Sequence, residues 1–269
     1  MSGLLRLTIL GCGSSPGTPR ITGDWGACDP SNPRNRRLRA SALVQRITPT
    51  GETNVLIDCG PDLREQIIGS GIQHLDAVLV THPHADHTHG IDDLRGFALD
   101  LRRVIPVHAD DATYERLFEG FRYCFERAPG SAYDPIVRRV AIEAGTPFQI
   151  AGGGGVLDIL PVRQEHGRIH SLGFRFGPLA YCSDVSDFPP ASVAALEGVG
   201  HVVIDALQYT PHPSHLSVDQ ALGWISRLGA RSATFTHMHT PLDYETLATE
   251  LPDHIRPAYD GMVLEFPVD

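Results

Sequence analysis

The chain has 269 residues, 42% of them hydrophobic, and a formal net charge of −10 at pH 7. This apolar fraction supports a large core, and we expect one domain that spans residues 1–269. The negative charge argues against a general nucleic-acid binder, which would be basic, so no extended nucleic-acid surface is expected. No apolar stretch in the sequence approaches the roughly 20 residues of a membrane-spanning helix, and we expect no membrane partner.

The cysteines and the N-terminal residues predict the compartment. The five cysteines are odd in number and widely spread, which favours reduced thiols over a disulfide framework. The first residues, Met1–Arg6, enter a strand-like segment at once, without a cationic leader and cleavage site. A cytoplasmic protein is therefore expected.

Strand-like and helical patterns alternate along the chain and predict two βαβ-like halves. In the first half, strands are predicted at residues 5–10, 40–46, 54–58, 77–81 and 104–108. In the second half, they are predicted near residues 156–162, 172–176, 179–183, 201–205, 232–236 and 261–266. Helices are predicted at residues 61–69, 111–119, 189–197, 217–228 and 243–250, with a short helix starting at Asp92.

The helix at residues 217–228 has the clearest pattern. Its apolar residues recur at helical spacing, Ser217 is suited to the N-cap, and Gly229 is suited to close it. The glycine run 152–155 predicts a turn, because it lacks the lysine of a phosphate-binding loop. Segment 120–140 fits no element, and both a lid over an active site and an ordinary surface excursion remain open for it.

The segment Thr81–His87 carries three imidazoles and one carboxylate directly after the apolar run 77–80. These are the ligands that zinc and manganese prefer, and α/β proteins place their chemistry where strands end. In an extended chain, His82 and His84 point to the same side, while Asp86 and His87 follow a turn. One ion could take the first pair and a second ion the other pair, as in a two-metal hydrolytic site.

Further metal-type ligands follow other apolar runs. His166, Asp184 and His237 each stand at the end of a strand-like segment, and His215 follows the strand-like residues 202–205. Strand ends of one sheet meet at one edge, so we expect these side chains to lie together.

The HxHxDH motif with the distant His, Asp and His resembles the two-metal signature of the metallo-β-lactamase-fold hydrolases. The resemblance implies an α/β, four-layer αββα sandwich with two mixed β-sheets flanked by helices. It implies two divalent ions, zinc or manganese: His82, His84 and His166 would hold the first, and Asp86, His87 and His237 the second. Asp184 would bridge them, and Asp58 would orient a ligand histidine from behind.

Within this superfamily, the chain is most similar to the PhnP-type phosphodiesterases, through residues 182–184, 213–215 and 235–237. The resemblance implies a hydrolase that cleaves small phosphodiesters, such as cyclic phosphates or nucleotide-like compounds, through a metal-bridging hydroxide. His215 would act as general acid or transition-state stabiliser, and Asp86 is assigned with it to catalysis. Relatives are often dimers, so a homodimer is an open alternative.

One region departs from the PhnP pattern. Relatives often carry three closely spaced cysteines that bind a structural zinc, whereas this chain has only Cys28 in the matching region. The basic run that follows offers Arg36, Arg37 and Arg39 as phosphate contacts, because guanidinium groups bind phosphate bidentately. A solvated loop with no such role is the alternative for this run.

Two other functions remain open. An RNA-processing endonuclease of the tRNA 3′-end type shares the ligands, but it normally has a long basic arm that is not visible here. A non-catalytic nucleotide-binding sensor would have no need of His215. Four more histidines near the motifs are expected behind the ligands or facing substrate: His89, His170, His212 and His239.

Overall fold

The computed structural model describes residues 3–127 and 129–268. Two seven-stranded mixed sheets lie face to face, and helices cover their outer faces. The α/β sandwich implied by the sequence is therefore confirmed. Within the described residues, no helix has both the length and the apolar character needed to cross a membrane.

The first sheet is built mainly by the N-terminal half. Its strands are β1 (Gly3–Gly11), β2 (Ser41–Thr48), β3 (Gly51–Ile57), β4 (Ala77–Leu79), β5 (Ile105–Ala109), β6 (Val137–Ala141) and β14 (Val263–Val268). They lie in the order β14-β1-β2-β3-β4-β5-β6. The pairs from β14 to β3 are antiparallel, and those from β3 to β6 are parallel.

The second sheet is built by the C-terminal half. Its strands are β7 (Phe148–Gly152), β8 (Gly155–His166), β9 (Ile169–Phe176), β10 (Leu179–Cys182), β11 (His201–Asp205), β12 (Ser232–Thr236) and β13 (Ile255–Pro257). They lie in the order β13-β12-β11-β10-β9-β8-β7. The pairs from β7 to β10 are antiparallel, and those from β10 to β13 are parallel.

The helices form the two outer layers. They are α1 (Leu63–Ser70), α2 (Ala85–Thr88), α3 (Arg95–Asp100), α4 (Asp111–Phe125), α5 (Pro190–Leu196), α6 (Val218–Leu228) and α7 (Tyr244–Glu250). Helices α1, α3 and α4 share a core with the outer face of the first sheet. Helices α5, α6 and α7 pack on the second sheet. Two short 3-10 helices, Pro33–Asn35 and Ile91–Leu94, complete the fold.

Strand β3 shows how the sequence separates the two cores of the first sheet. Val55 and Ile57 belong to the core between the sheets, whereas Leu56 belongs to the core under the outer helices. Successive side chains of a strand point to opposite faces, so a continuous apolar run serves both cores.

Three strands were not predicted from the sequence: β6, β7 and β13. All three are paired on one side only, at the ends of their sheets. Edge strands have one exposed side and often carry charges or prolines, which weaken the apolar pattern. Accordingly, β6 contains Arg138 and Arg139, and β13 ends in Pro257.

The predicted helix at residues 217–228 is confirmed as α6. Ser217 and Gln220 form a reciprocal capping box, and Gly229 closes the helix at φ 64°. The predicted turn at residues 152–155 joins β7 to β8. These local signals succeeded because each depends on neighbouring residues alone.

Segment 120–140 is divided among several features. Helix α4 continues to Phe125 with non-helical backbone angles at Phe121, and β6 begins at Val137. Ala128 lies outside the described residues. The ring of Phe121 lies 5.3 Å from that of His89, next to the ligand loop. The lid role stays a prediction.

Replacing the N-cap of α6 tests whether local capping supports the second sheet. We expect Ser217→Ala to lower the free energy of unfolding by about 1 kcal/mol, because the amide of Gln220 loses its acceptor. Urea denaturation would measure the loss, with the exposed Ser226→Ala on the same helix as control. Equal stability of both variants would contradict a stabilising cap.

Candidate metal centre

The ligand loop leaves the carboxyl end of β4, in the middle of the first sheet. His82 and His84 precede α2, and α2 itself carries Asp86 and His87. His82 and His87 are fully buried, whereas His84 is exposed. One short segment thus carries four metal-type ligands from the interior of the sandwich to its surface.

Three further strand ends of the second sheet face this loop. His166 ends β8, Asp184 follows β10, and His237 follows β12. Ligand atoms lie within 4.8 Å of one another in several sets, including His82, His84 and His166; His82, His87 and Asp184; and Asp86, His87 and His237. The structure therefore brings together all seven residues that the sequence proposed as ligands.

Asp184 lies at the centre of this cluster. Its Oδ1 is 3.8 Å from His166 Nε2, 3.9 Å from His82 Nε2 and 3.4 Å from His237 Nε2. Its Oδ2 is 3.1 Å from His87 Nε2. Two ligands that share one ion, each at about 2.1 Å from it, lie about 3 to 4 Å apart. The carboxylate therefore has the spacing of a group placed between two sets of ligands.

The unpaired nitrogens provide a test of whether the residues fit a metal. Within the described part of the chain, the buried Nε2 atoms of His82 and His237 have no hydrogen-bond partner. Buried polar atoms normally have one, because leaving them unpaired costs free energy. Imidazoles and carboxylates are suitable ligands for zinc or manganese, so a divalent cation would satisfy this cluster.

Asp58 holds one ligand from behind, at the end of β3. Its Oδ2 lies 2.7 Å from His87 Nδ1, and its Oδ1 accepts a hydrogen bond from the Thr81 amide. Burial raises the pKa of Asp58, and the neighbouring His87 opposes that rise. The chain can pass this close to α2 because Gly60 has no Cβ, which would lie 2.0 Å from the Asp86 carbonyl oxygen. The contact expected between Asp58 and a ligand histidine is present.

A second ligand histidine is oriented by backbone. His166 Nδ1 donates to the carbonyl oxygen of Ser214 at 2.7 Å, which leaves Nε2 directed toward the cluster. Such contacts fix the tautomer and the ring orientation of a metal-binding histidine. The loop between β11 and α6 thus helps to place a side chain of β8.

Backbone strain concentrates at the same strand ends. Among the described residues, four non-glycine residues have positive φ, and three of them are Asp58, Asp184 and His237. This conformation costs about 1–3 kcal/mol for such residues and persists only where surrounding contacts enforce it. The positive φ angles that direct these three side chains into the cluster therefore lower the stability of the fold.

His215 lies beside the cluster and is held by a residue that sequence reasoning did not select. Asp205 Oδ2 is 2.7 Å from His215 Nδ1. Burial lowers the pKa of His215, but the Asp205 carboxylate outweighs this effect and raises the pKa to about 9. Asp205 stands at the end of β11, and the proposed ligands also stand at strand ends. This position is the signal in the sequence from which Asp205 could have been selected.

A cavity of about 240 Å³ opens next to His215 and His237. It is lined also by the first loop, at Ser14 and Ser15, and by two of the expected substrate-facing histidines, His212 and His239. Ser15 Oγ donates to Asp86 Oδ2 at 2.7 Å. The two serines were not selected from the sequence, because a serine after a glycine loop has no distinctive pattern.

His170 lies in a different cavity. Its Nε2 is 2.6 Å from Asp110 Oδ2, and both residues line a cavity of about 870 Å³ between β6 and β9. His89 is exposed at the C-terminal end of α2.

The prediction that Arg37 contacts substrate phosphate is wrong. Its side chain is buried, and its guanidinium donates to the carbonyl oxygens of Leu242 and His239. Arg39 forms an ion pair with Asp62 at 2.8 Å. Arg36 is exposed, and its contact with phosphate stays a prediction. The sequence of the basic run does not show which arginine turns inward, so the burial of Arg37 could not be predicted from it.

Cys28 is the cysteine in the region that departs from the PhnP pattern. It is buried, and its thiol lies 3.4 Å from the carbonyl oxygen of Thr240 and 3.3 Å from that of Leu242. Arg37 Nη1 is 3.9 Å from the same sulfur. Hydrogen bonds from Cys28 and Arg37 thus tie this region to the loop that follows β12.

Comparison with known proteins agrees with this site. The family model of the beta-lactamase superfamily domain matches residues 53–238. The chain belongs to this superfamily, whose members have the metallo-β-lactamase fold and bind divalent metals. It is thus a metallo-hydrolase-fold protein.

Three relatives define its neighbourhood more narrowly. A crystal structure of a new diphosphatase from the PhnP family has a TM-score of 0.88 and 35% identity, covering 100% of this chain and 99% of that chain. An octanoyltransferase of Porphyromonas gingivalis is 34% identical over 261 residues, covering 96% of this chain and 51% of that protein. A ribonuclease Z of Bradyrhizobium diazoefficiens is 34% identical over 131 residues, covering 45% and 40%. The chain thus spans about half the length of these curated relatives, or less.

Removing the anchor behind His87 should weaken metal binding. We expect Asp58→Asn to lower metal affinity about 10- to 100-fold, because the ring of His87 loses its charged acceptor. Asparagine also tolerates the positive φ of this position. Competition with a chromogenic chelator would measure the affinity. Asp62→Asn, in the same loop but paired with Arg39, is the matched control, and equal affinities would refute the anchoring role.

Proposed function

We propose that the protein is a hydrolase of small phosphodiesters that uses two divalent ions, zinc or manganese. The observation that carries the proposal is the pairing of His215 with Asp205 directly beside the cluster of seven proposed ligands. A protein that only binds a nucleotide would have no use for a histidine held in this way. Five buried, unpaired cysteines support a reducing compartment such as the cytoplasm.

The ligands divide into two sets. His82, His84 and His166 would hold the first ion. A second ion would be held by Asp86, His87 and His237. Asp184 would bridge the two, and its distances of 3.1 to 3.9 Å to histidines of both sets support this role.

When bound, two such ions lower the pKa of a shared water and neutralise charge on the phosphoryl oxygens. Asp205 holds Nδ1 of His215, which leaves Nε2 as the nitrogen that can give a proton to the leaving oxygen. Ser15 keeps Asp86 in place through its hydrogen bond to Oδ2. The protein thus directs its acid and its carboxylate ligands at one point.

Small diesters suit this chain better than RNA. The net charge of −10 gives no broad attraction for a polynucleotide. The cavity beside His215, at about 240 Å³, has room for one small organic group. The similarity to a diphosphatase of the PhnP family extends over the whole chain, whereas that to ribonuclease Z covers less than half of it.

A panel of substrates tests the proposal. We expect metal-loaded protein to hydrolyse bis(p-nitrophenyl) phosphate and a 2′,3′-cyclic nucleotide, and Asp86→Ala to abolish both activities because a ligand is lost. Release of nitrophenol and of nucleotide would be measured, with a nucleoside diphosphate and a precursor tRNA in parallel. Cleavage of the tRNA alone would establish the nuclease instead. No turnover of any of the four, with both ions bound, would refute the hydrolase.

The His215 variant tests the assignment of the acid. We expect His215→Ala to lower kcat by about 10²–10⁴-fold with metal content unchanged, because proton donation to the leaving group is lost. Kinetics and elemental analysis would be compared with His254→Ala, an exposed histidine away from the site. Loss of metal in His215→Ala would make His215 a ligand rather than an acid.

A further inference from the structure

Three side chains form a hydrogen-bonded series that begins in the wall of the cavity next to His215, where Ser14 and His239 lie. Arg20 Nη2 lies 2.7 Å from His239 Nε2, and His239 Nδ1 lies 2.9 Å from Ser14 Oγ. Arg20 is also paired with Asp24, which fixes the outer end of the series at 3.1 Å. The first loop and the segment after β12 are thereby linked across the cavity wall.

The chemistry of arginine sets the direction of these hydrogen bonds. A guanidinium group can only donate, so Nε2 of His239 must accept. A neutral imidazole that accepts at Nε2 carries its proton on Nδ1 and donates there. Ser14 Oγ therefore accepts from His239, and its own hydroxyl hydrogen must point elsewhere.

Ser14 lines the cavity, so the hydrogen of its hydroxyl group can point into it. Among the described residues, Ser14 Oγ has no hydrogen-bond partner besides His239, while the serine backbone is held by Met238. The residue is only 2% exposed, so bulk water has little access to it. A buried donor without an acceptor is costly, and an acceptor brought in by a ligand would satisfy it.

The neighbours of Ser14 indicate what that acceptor is. The same cavity is lined by His215 and His237, the proposed acid and one of the proposed metal ligands. An oxygen that reaches this point would belong to the group held at the metal centre. An anionic phosphoryl oxygen is a strong acceptor for a fixed hydroxyl donor.

We propose that Ser14 donates a hydrogen bond to a phosphoryl oxygen of the substrate, and that His239 and Arg20 are positioning residues that fix this direction. This inference rests on the proposed function, because it takes phosphate chemistry at the metal centre as given. It adds a substrate contact made by the protein itself rather than by an ion.

The tautomer of His239 is a direct test that does not involve activity. In ¹⁵N-labelled, zinc-loaded protein, we expect NMR to show His239 protonated at Nδ1 and unprotonated at Nε2. The His239→Asn variant identifies the signal by its disappearance. A ring protonated at Nε2, or at both nitrogens, would overturn the relay.

Binding of inorganic phosphate tests the contact itself. We expect Ser14→Ala to weaken phosphate binding to the metal-loaded protein about tenfold or more, because a hydrogen bond to a charged group is lost. Calorimetry would measure the dissociation constant, and elemental analysis would check that metal content is unchanged. Ser226→Ala, on the exposed face of α6, is the control. Unchanged affinity in Ser14→Ala would overturn the proposal, as would wild-type protein that does not bind phosphate.

Conservative variants separate positioning from general damage. His239→Asn keeps a donor near the position of Nδ1 and should retain more phosphate affinity than His239→Leu. Arg20→Lys should likewise retain more than Arg20→Met. Equal losses within each pair would reject the positioning role. Phosphate binding that responds to Ser14 in a protein without diesterase activity would refute the proposed reaction while leaving this contact intact.

Discussion

The structure depends on holding buried imidazoles so that one nitrogen of each is directed into a shared centre. Nδ1 of His87 forms a hydrogen bond with Asp58, and Nδ1 of His166 forms one with a backbone carbonyl oxygen. In both rings, Nε2 is therefore directed to the same space. Unpaired buried nitrogens, such as Nε2 of His82 and His237, are unfavourable, and a divalent cation held by the cluster would satisfy them and link the two sheets. The positive φ of Asp58, Asp184 and His237 reflects the same requirement, since each turns sharply to enter it.

Much of this site could be predicted from the sequence, because its ligands follow strongly apolar strands. The motif at residues 81–87 and the strand-end positions of His166, Asp184 and His237 needed only the period of a strand and the chemistry of metal ligands. Edge strands such as β6 escaped because their exposed sides carry charge. The link between Ser14 and His239 spans 225 positions, and no local pattern records it. Arg37 was misassigned because burial is a property of the folded loop, which the basic run does not reveal.

The site combines the ligand cluster with a cavity whose wall lies partly outside the range of the family match. The cluster around Asp184 is what the superfamily match over residues 53–238 leads one to expect. The cavity beside it takes Ser14 and Ser15 from outside that match, and it takes four residues from the loop before α6: Leu207, Gln208, His212 and His215. The printed names of similar proteins differ in activity, a diphosphatase and a ribonuclease Z among them. Discrimination among substrates is therefore a matter for these surrounding loops, where a few side chains decide which leaving group fits.

Arg37 holds the loop beside the site in place through hydrogen bonds to the backbone. Its guanidinium and the Cys28 thiol join the segment from Cys28 to Arg37 to the carbonyl oxygens at residues 239–242. The guanidinium group of Arg37 carries a permanent positive charge and is part of the chain, so a chelator cannot remove it. Removal of any ions held by the ligand cluster would therefore leave these hydrogen bonds, and the His239 side of the cavity, in place.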